Sequence, residues 1–217
     1  MNDLGPNQEI LAQTVDSLGS DRMFVDLGVR SGESSMMMIR DASARNNRVH
    51  GVDIDSAQVP SYLTNHERYA FILGDSVTIG KHWNKGSIDL LFIDTCHIKE
   101  QVLCELFFWF PHIREGGYVV FHDTAWPKDK HDMYGGIVWE RPEEAVKAFF
   151  GISSLDQKTE FVESKHYPES WGMTFVQVKK QFSPQQNFKD WQATFEKRNH
   201  LLDILTKTIR LPEFEKL

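Results

Sequence analysis

Residues Met23 to Ser35 read MFVDLGVRSGESS, and this stretch decides the fold of the chain. A short apolar run, Met23–Val25, ends on Asp26, and glycines follow at Gly28 and Gly32. This order predicts a buried strand, a tight turn and the N-terminus of a helix. Glycines allow the backbone to approach a ligand, and a helix N-terminus offers unpaired N–H groups. A plain strand-to-helix turn fits equally well, so the rest of the chain has to decide whether a ligand binds here.

Length, composition and charge restrict the class of protein. The 217 residues suit one α/β domain, and no repeat or domain boundary is visible in residues 1–217. The net charge of −7 argues against a nucleic-acid-binding surface, which is normally basic. Two cysteines, Cys96 and Cys104, are too few for a disulfide framework and indicate free thiols. Because we find neither a signal peptide nor an apolar run of membrane-spanning length, we expect a cytoplasmic protein.

Short runs of β-branched or aromatic residues alternate with stretches of helical spacing. Five strands are predicted at Met23–Leu27, Arg48–Ile54, Tyr69–Leu73, Ile88–Ile93 and Tyr118–Phe121. Helices are predicted at Gln8–Leu18, Ser34–Ala44, Ile98–Phe110 and Glu143–Phe150, with a turn over residues 114–117. This alternation is typical of parallel strands joined by right-handed crossovers.

Two further strands complete the predicted sheet. Glu160–Ser164 and Met173–Lys179 are separated by a loop that contains Pro168 and Gly172, which indicates an antiparallel hairpin. The expected fold is therefore α/β, a Rossmann-like, doubly wound, mostly parallel seven-stranded sheet with an antiparallel closing hairpin.

Each of the five parallel strands ends in an aspartate. These acids are Asp26, Asp53, Asp75, Asp94 and Asp123. In doubly wound sheets ligands bind beyond the carboxyl ends of the strands, so the five carboxylates are expected along the ligand edge. Such a gathering of negative charge is costly unless cationic or hydrogen-bonding groups are held there.

Three segments lie outside the sheet. Residues 1–20 hold the N-terminal helix, which we expect to cover the sheet. Residues 124–142 start after the fifth strand and form either a lid over the ligand edge or a plain surface insertion. Its aromatic residues, Trp126, Tyr134 and Trp139, are expected either to stack on an acceptor or to pin the lid to the core. His131 lies in the same segment, and no pattern supports a substrate role for it. The tail 184–217, with a helix expected at 185–207, either caps the core or forms a contact in a homo-oligomer.

These motifs resemble those of the class I S-adenosylmethionine-dependent methyltransferases. VDLGVRSGESS is similar to the first motif of that family, GVDID to the second and LGDS to the third. FIDTCH followed by an apolar helix, REGGYVVFHD and a lid resembles small-molecule O-methyltransferases that need a divalent metal. Sugar and macrolide O-methyltransferases and cephalosporin-hydroxylase-like proteins are the most similar groups, and the resemblance covers about residues 20 to 180.

The resemblance implies a role for each cofactor-binding residue. Asp26, Gly28 and Gly32 match the motif that contacts the methionine part of the cofactor, and Ser34 matches a serine that meets its carboxylate. Asp53 matches the acid that accepts hydrogen bonds from the ribose hydroxyls. The remaining pair, which matches the adenine end, is Asp75 and Ser76.

The resemblance also implies a metal. Asp94 and Asp123 end neighbouring strands, so their carboxylates can converge on one cation, and oxygen ligands suit magnesium best. The family usually has a further carboxylate or amide where this chain has His122. If His122 is a third ligand, manganese, iron or zinc are favoured over magnesium. The alternative is that His122 faces away, because adjacent strand residues point to opposite sides of a sheet.

His97 is three residues after Asp94, at the offset where the family places its general base. A hydroxyl bound to a divalent metal becomes more acidic, and a histidine with a near-neutral pKa can take its proton. The resulting alkoxide attacks the methyl group on sulfur in line. A capping or exposed histidine is the alternative interpretation of His97.

The function predicted from these residues is transfer of a methyl group from S-adenosylmethionine to a hydroxyl of a small molecule, such as a sugar or macrolide. A nicotinamide-dependent oxidoreductase is the first alternative, since it shares the strand, the glycines and an acid at the position of Asp53. The third glycine of the dinucleotide fingerprint is absent, and the closing hairpin fits such an enzyme poorly. The second alternative is a non-catalytic cofactor-binding protein, which has no need of a metal and a base.

Overall fold

One sheet of eight strands runs through the molecule, for which the computed structural model describes residues 4–42, 46–125 and 141–208. The strands are β1 Met23–Leu27, β2 Arg48–Asp53, β3 Tyr69–Leu73, β4 Ile88–Ile93, β5 Ile113–His122, β6 Gln157–Lys158, β7 Val162–Tyr167 and β8 Met173–Val178. The helices are α1 Asn7–Leu18, α2 Glu33–Ala42, α3 Ser61–Thr64, α4 Ser76–Lys81, α5 Lys99–Trp109, α6 Pro142–Phe150 and α7 Trp191–Thr208.

The strand order in the sheet is β3-β2-β1-β4-β5-β8-β7-β6. The first five strands in that order are parallel, and β8, β7 and β6 continue the sheet in antiparallel pairs. The doubly wound fold with a closing hairpin is thereby confirmed, and β6 adds an eighth strand to the predicted seven. The direction of winding reverses between β1 and β4, which in such sheets opens a crevice at the carboxyl ends of the strands.

Helices cover both faces of the sheet. On one face Leu11 of α1 and Met38 of α2 are buried in one apolar cluster, and on the other Leu103 of α5 and Phe149 of α6 are buried in a second. All six residues of β4 are buried, as expected for a central parallel strand with two covered faces. This double coverage explains why β1 and β4 read as apolar runs in the sequence, whereas β3, at the edge of the sheet, is partly exposed.

The fifth strand starts at Ile113, so the predicted start at Tyr118 and the predicted turn over 114–117 are wrong. Ile113 pairs with Ile88 and Tyr118 pairs with Leu90, so five positions on β5 oppose two on β4. The glycine-rich signal therefore marks an irregularity inside a strand, where the backbone bulges without ending the strand. The Arg114 guanidinium forms an ion pair with Asp89 of β4 and fixes this bulge to its neighbour.

Other differences concern ends and short elements. The helix α7 begins at Trp191 and not at 185, and β7 spans Val162–Tyr167 where Glu160–Ser164 was predicted. The two helices that the sequence analysis missed, α3 and α4, have four and six residues and are too short for a periodic pattern. The proposed lid, with its residues Trp126, Tyr134, Trp139 and His131, lies outside the described residues, except for its first two and last two positions.

The tail packs on its own chain. Trp191 and Phe195 of α7 contact the aromatic side of the core, and Leu201, Leu202 and Leu205 are buried beside Ile98. The tail was expected either to cap the core or to form a contact in a homo-oligomer, and residues 191–205 cap the core. Among the helices of the described residues, none combines the length and the apolar character that a membrane crossing needs.

Candidate active site

The carboxyl ends of the parallel strands surround a cavity of about 230 Å³. Five of the predicted site residues line it, namely Gly28, Asp53, Asp75, Ser76 and Asp94. They lie at or just after the carboxyl ends of strands β1 to β4, so the cavity lies at the reversal point of the sheet. The sheet topology thus brings together residues that are up to 66 positions apart in the sequence.

The glycine turn after β1 is packed against the end of β4. Gly28 has a φ of +88°, and its N–H donates a hydrogen bond of 2.9 Å to the carbonyl of Val52. A Cβ atom at this position would lie 2.1 Å from the backbone carbonyl oxygen of Asp94. Only glycine fits this combination of left-handed backbone and close approach, which holds the floor of the cavity in place.

Replacing Gly28 with alanine is expected to destabilise the protein more than the same change at Gly19. Both glycines have positive φ, but a Cβ at Gly19 meets nothing within 4 Å. Gly19→Ala therefore reports backbone strain alone, about 1–3 kcal/mol, whereas Gly28→Ala adds a clash with main-chain atoms that cannot move aside. Chemical denaturation of both variants measures the difference. Equal losses of unfolding free energy would mean that the turn shifts to accommodate the Cβ atom and that the close approach of Gly28 to Asp94 does not affect stability.

Asp26 lies beneath the glycine turn. Among the described residues, it is not one of those that line the cavity. It is fully buried, and one of its carboxylate oxygens accepts hydrogen bonds from Ser34, at 2.7 Å, and from Ser35. Burial raises the pKa of Asp26 to about 7, against the lowering effect of the two serine hydroxyls. Asp26 and Ser34 thus tie β1 to the first turn of α2, and neither Ser34 nor Gly32 faces the cavity. Their predicted contacts with the cofactor stay predictions.

Asp53 stands at the wall of the cavity with its carboxylate held by backbone groups. Its Oδ2 accepts a hydrogen bond of 2.8 Å from the N–H of Arg30, and its Oδ1 accepts one of 3.0 Å from the N–H of Asp55. A carboxylate has about four acceptor sites, so both oxygens retain capacity for hydroxyl donors. The geometry fits the predicted role of an acceptor for two neighbouring hydroxyls.

A network of buried polar groups lies behind Asp75 and Ser76. Asp75 caps α4, since its Oδ2 accepts from the N–H of Thr78 at 2.9 Å. The same oxygen is 2.5 Å from Nη2 of Arg198, which is fully buried. Ser76 donates to Glu105 at 2.5 Å, and burial raises the pKa of Glu105 to about 7.

The sequence analysis missed Arg198, Gln101 and Glu105. Gln101 joins the two parts of the network, because it donates to Glu105 at 2.9 Å and accepts from Arg198 Nε at 3.1 Å. A signal was present for Gln101 and Glu105, which are polar residues four positions apart in an otherwise apolar helix. Arg198 gave none, because an arginine in a polar tail helix is normally exposed.

A second constellation adjoins the cavity and shares Asp94 with it. Nε2 of His97 is 2.6 Å from Oδ2 of Asp123 and 3.6 Å from Oδ1 of Asp94. Suitably placed ligand atoms of Asp94, His97 and Asp123 all lie within 4.8 Å of one another. Nδ1 of His122 is 3.3 Å from Asp123 and 3.4 Å from Asp94. We call these four residues the acid–histidine cluster.

His122 faces the cluster, although its neighbour Asp123 does so as well. Strand alternation would place two successive residues on opposite sides. Asp123, however, has a φ of +57°, which is the left-handed region and rare for a residue with a side chain. This turn of the backbone brings both side chains to the same place. Strained backbone of this kind is often found at functional sites.

The cluster contains buried polar atoms that lack hydrogen-bond partners within the described residues. These atoms are Nε2 of His122 and Oδ1 of Asp123. Buried polar atoms without partners are costly, and a bound cation is one explanation of such a group. Two carboxylates and two imidazoles fit manganese, iron or zinc as well as magnesium. The donor set therefore fits a divalent metal.

The electrostatics of the cluster are those of closely coupled acids and imidazoles. Burial by itself would lower the pKa of His97, but hydrogen bonding with Asp123 and Asp94 outweighs it and raises that pKa to about 9. The same balance raises the pKa of His122 to about 10. Burial would raise the pKa of Asp94, yet the adjacent imidazoles hold it well below the usual range. A metal ion bound here would compete with the protons of the imidazoles.

Comparisons with known proteins agree with this reading of the fold. Residues 25–124 match the sequence profile of a family described as a methyltransferase domain. That range starts in β1 and ends just beyond β5, so it contains the glycine turn, the cavity-lining strand ends and the acid–histidine cluster. No protein in a search of curated proteins matches the chain significantly.

Three of the solved structures with the same fold are described next. An O-methyltransferase from Bacillus cereus in complex with S-adenosylhomocysteine has 16% identity and a TM-score of 0.60, over 82% of this chain and 83% of that one. The O-methyltransferase TomG from Streptomyces achromogenes, involved in tomaymycin synthesis and bound to S-adenosylmethionine, has 14% identity and a TM-score of 0.60, over 81% and 80%. The methyltransferase PaMTH1 from Podospora anserina, bound to S-adenosylhomocysteine, has 11% identity and a TM-score of 0.60, over 80% and 78%.

Proposed function

We propose that the chain is a class I S-adenosylmethionine-dependent methyltransferase that transfers the methyl group to a hydroxyl of a small molecule, with help from a divalent metal. The methyltransferase-domain profile over residues 25–124 and the shared fold support this proposal. One observation carries the proposal. Asp94 lines the cavity and also belongs to the acid–histidine cluster. A hydroxyl held at the cluster would therefore lie beside a cofactor held in the cavity, as methyl transfer in line requires.

The cavity offers the cofactor a distinct group at each end. The Gly28 turn, whose backbone can approach a ligand closely, would meet the methionine part. Asp53, whose two oxygens retain acceptor sites, would take the ribose hydroxyls. Asp75 and Ser76 lie at the far strand end and would border the adenine. Structures with this fold that hold S-adenosylmethionine or S-adenosylhomocysteine support the assignment of the cavity.

Asp94 and Asp123 would hold the metal, and His122 is placed to be a further ligand. A divalent metal lowers the pKa of a hydroxyl bound to it, which makes the oxygen a better nucleophile at neutral pH. The described residues of the cluster are mostly shielded from water, so their charges interact strongly. This placement supports the proposal that the acceptor hydroxyl is oriented and activated at the cluster.

His97 is proposed as the general base that takes the proton of the acceptor hydroxyl in the metal-bound protein, where the cation would displace the proton that the two carboxylates otherwise hold on its ring. Its Nε2 faces both carboxylates of the cluster, so it would lie within reach of a hydroxyl bound between them. The same position suits a metal ligand, because Nε2 is 2.6 Å from Asp123. The two roles differ in one measurable respect: a ligand contributes to metal affinity and a base does not.

The alternative functions are less well supported by the same site. A nicotinamide-dependent oxidoreductase would need no acid–histidine cluster beside its cofactor, and the turn after β1 lacks the third glycine of the dinucleotide fingerprint. A non-catalytic binding protein would have no use for the strained backbone at Asp123 or for the buried Nε2 of His122, which has no partner among the described residues.

Calorimetric titration tests the proposal directly. S-adenosylhomocysteine should bind the wild-type protein, and NAD, titrated in parallel, should not. Titration with Mg²⁺ and with Mn²⁺ should show one site, and Asp94→Asn should remove it. Failure of S-adenosylhomocysteine to bind, with or without metal, would refute the methyltransferase proposal. Binding of NAD in its place would favour the oxidoreductase. A screen of hydroxylated small molecules with labelled S-adenosylmethionine then identifies the acceptor.

A further inference from the structure

The C-terminal helix α7 reaches the cavity that the first hundred residues build. Leu202 and Leu205 line the cavity together with Asp75, Cys96 and Gln101. The two leucines are nearly buried, with exposed fractions of 3% and 7%. They supply apolar surface to a cavity whose other walls are mostly strand-end loops with acidic and small residues.

Arg198 fixes this helix to the cavity. It lies four positions before Leu202 and seven before Leu205, so the three side chains share one face of α7. Its guanidinium is fully buried and spans Asp75, at 2.5 Å from Nη2, and Gln101, at 3.1 Å from Nε. Asp75 and Gln101 themselves line the cavity. One face of α7 therefore consists of a polar anchor followed by an apolar wall.

The cavity is small compared with the cofactor proposed above. A volume of about 230 Å³ is below the range of roughly 300–1,000 Å³ that is typical of small-molecule sites. A ligand as large as an adenosine derivative would thus press against the side chains that bound the cavity. Of those, Leu202 and Leu205 come from a helix end and not from the sheet.

Resting on the function proposed above, we propose that the Arg198 face of α7 is part of the cofactor site and that Leu202 and Leu205 form the wall against the adenine base. The base is flat and apolar on its faces, and apolar side chains are the usual partners of such surfaces in ligand cavities. Asp75, the anchor point of α7, lies at the strand end assigned to adenine. The methionine end, at Gly28, is formed by other elements.

Leucine-to-alanine variants on α7 test the proposal, with S-adenosylhomocysteine and adenosine as the probes. Leu202→Ala and Leu205→Ala should each weaken binding of S-adenosylhomocysteine about tenfold or more, because several methyl and methylene contacts with the ligand are lost. Adenosine should lose affinity by the same factor, since the wall contacts the base. Leu205→Ala serves as the independent variant if Leu202→Ala does not fold.

Leu201→Ala is the matched control. Leu201 is adjacent in sequence and fully buried beside Ile98, but it does not line the cavity. The control should lose thermal stability as the other two variants do, while it keeps wild-type affinity for S-adenosylhomocysteine. Wild-type affinity in both Leu202→Ala and Leu205→Ala, or an equal loss in Leu201→Ala, would overturn the inference and leave the proposed function standing. Absence of binding by the wild-type protein would overturn the proposed function itself.

Discussion

Replacing His97 with alanine is expected to slow methyl transfer by about 10²- to 10⁴-fold and to leave the affinity for S-adenosylhomocysteine unchanged. The physical reason is the position of the His97 side chain. Nε2 of His97 faces the two carboxylates of the acid–histidine cluster, where the acceptor hydroxyl is proposed to bind. The side chain does not line the cofactor cavity, which is bounded by the neighbouring residues Asp94, Thr95 and Cys96.

The measurement is turnover with labelled S-adenosylmethionine and an acceptor found in the screen, together with calorimetry for S-adenosylhomocysteine and for Mn²⁺. Retained Mn²⁺ affinity in the variant is expected for a base, and a large loss would make His97 a metal ligand instead. His112→Ala is the control, because His112 is a half-buried histidine that lies outside the cluster. Full turnover in His97→Ala would exclude His97 from the mechanism.

Replacing Arg198 with methionine is expected to lower the free energy of unfolding by about 3–5 kcal/mol. The guanidinium is fully buried and is paired with Asp75, whose side chain is 7% exposed. Methionine keeps much of the apolar stem but leaves the Asp75 carboxylate and the Gln101 amide oxygen without their buried donor. Loss of one partner of a buried pair is costly because the remaining charge has lost its hydration and receives no compensation.

Chemical denaturation of three variants measures this effect. Lys197→Met is the matched control, since Lys197 is the next residue along α7 and contacts Glu100 with a side chain that is 59% exposed. Glu100 is itself only 5% exposed, but the Lys197 ammonium remains in contact with water, so this pair is expected to contribute less than the fully buried pair of Arg198 and Asp75. The double variant Asp75→Asn with Arg198→Met should recover part of the loss, because it removes the uncompensated charge. A loss for Arg198→Met no larger than that for Lys197→Met would mean that the ion pair does not hold α7 in place.

The sequence predicted the central part of the fold closely. The observed bounds of β1, β3 and β4 are those read from the apolar runs, and β2 differs by one residue at its end. β1 and β4 are covered on both faces, so their positions are mostly apolar and the pattern can be recognised without knowledge of the neighbouring strands. β5 was read five residues short, because the glycines at its bulge look like a turn when the opposing strand is not known.

Some of the residues that were predicted to bind the cofactor line the cavity and others do not, for a physical reason. Gly28, Asp53 and Asp75 line the cavity because each lies at or just after the carboxyl end of a parallel strand, and such positions share one edge of the sheet. Asp26 is inside its strand, and its carboxylate turns toward Ser34 and Ser35 under the glycine turn. The sequence pattern alone cannot distinguish a residue near the end of a strand from one just after it, although the two positions have different surroundings.

By itself the sequence determined the parallel order of elements, the acidic edge and the approach of Asp94 to Asp123, because periodicity and strand ends are local properties. Tertiary structure decided the rest. His122 joins the acid–histidine cluster because a left-handed backbone at Asp123 breaks the alternation of the strand. Arg198 meets Asp75 across 123 positions of sequence, and Leu202 and Leu205 come to the cavity with it. Contacts of this range depend on how a helix docks on a finished sheet, and no local pattern records that docking.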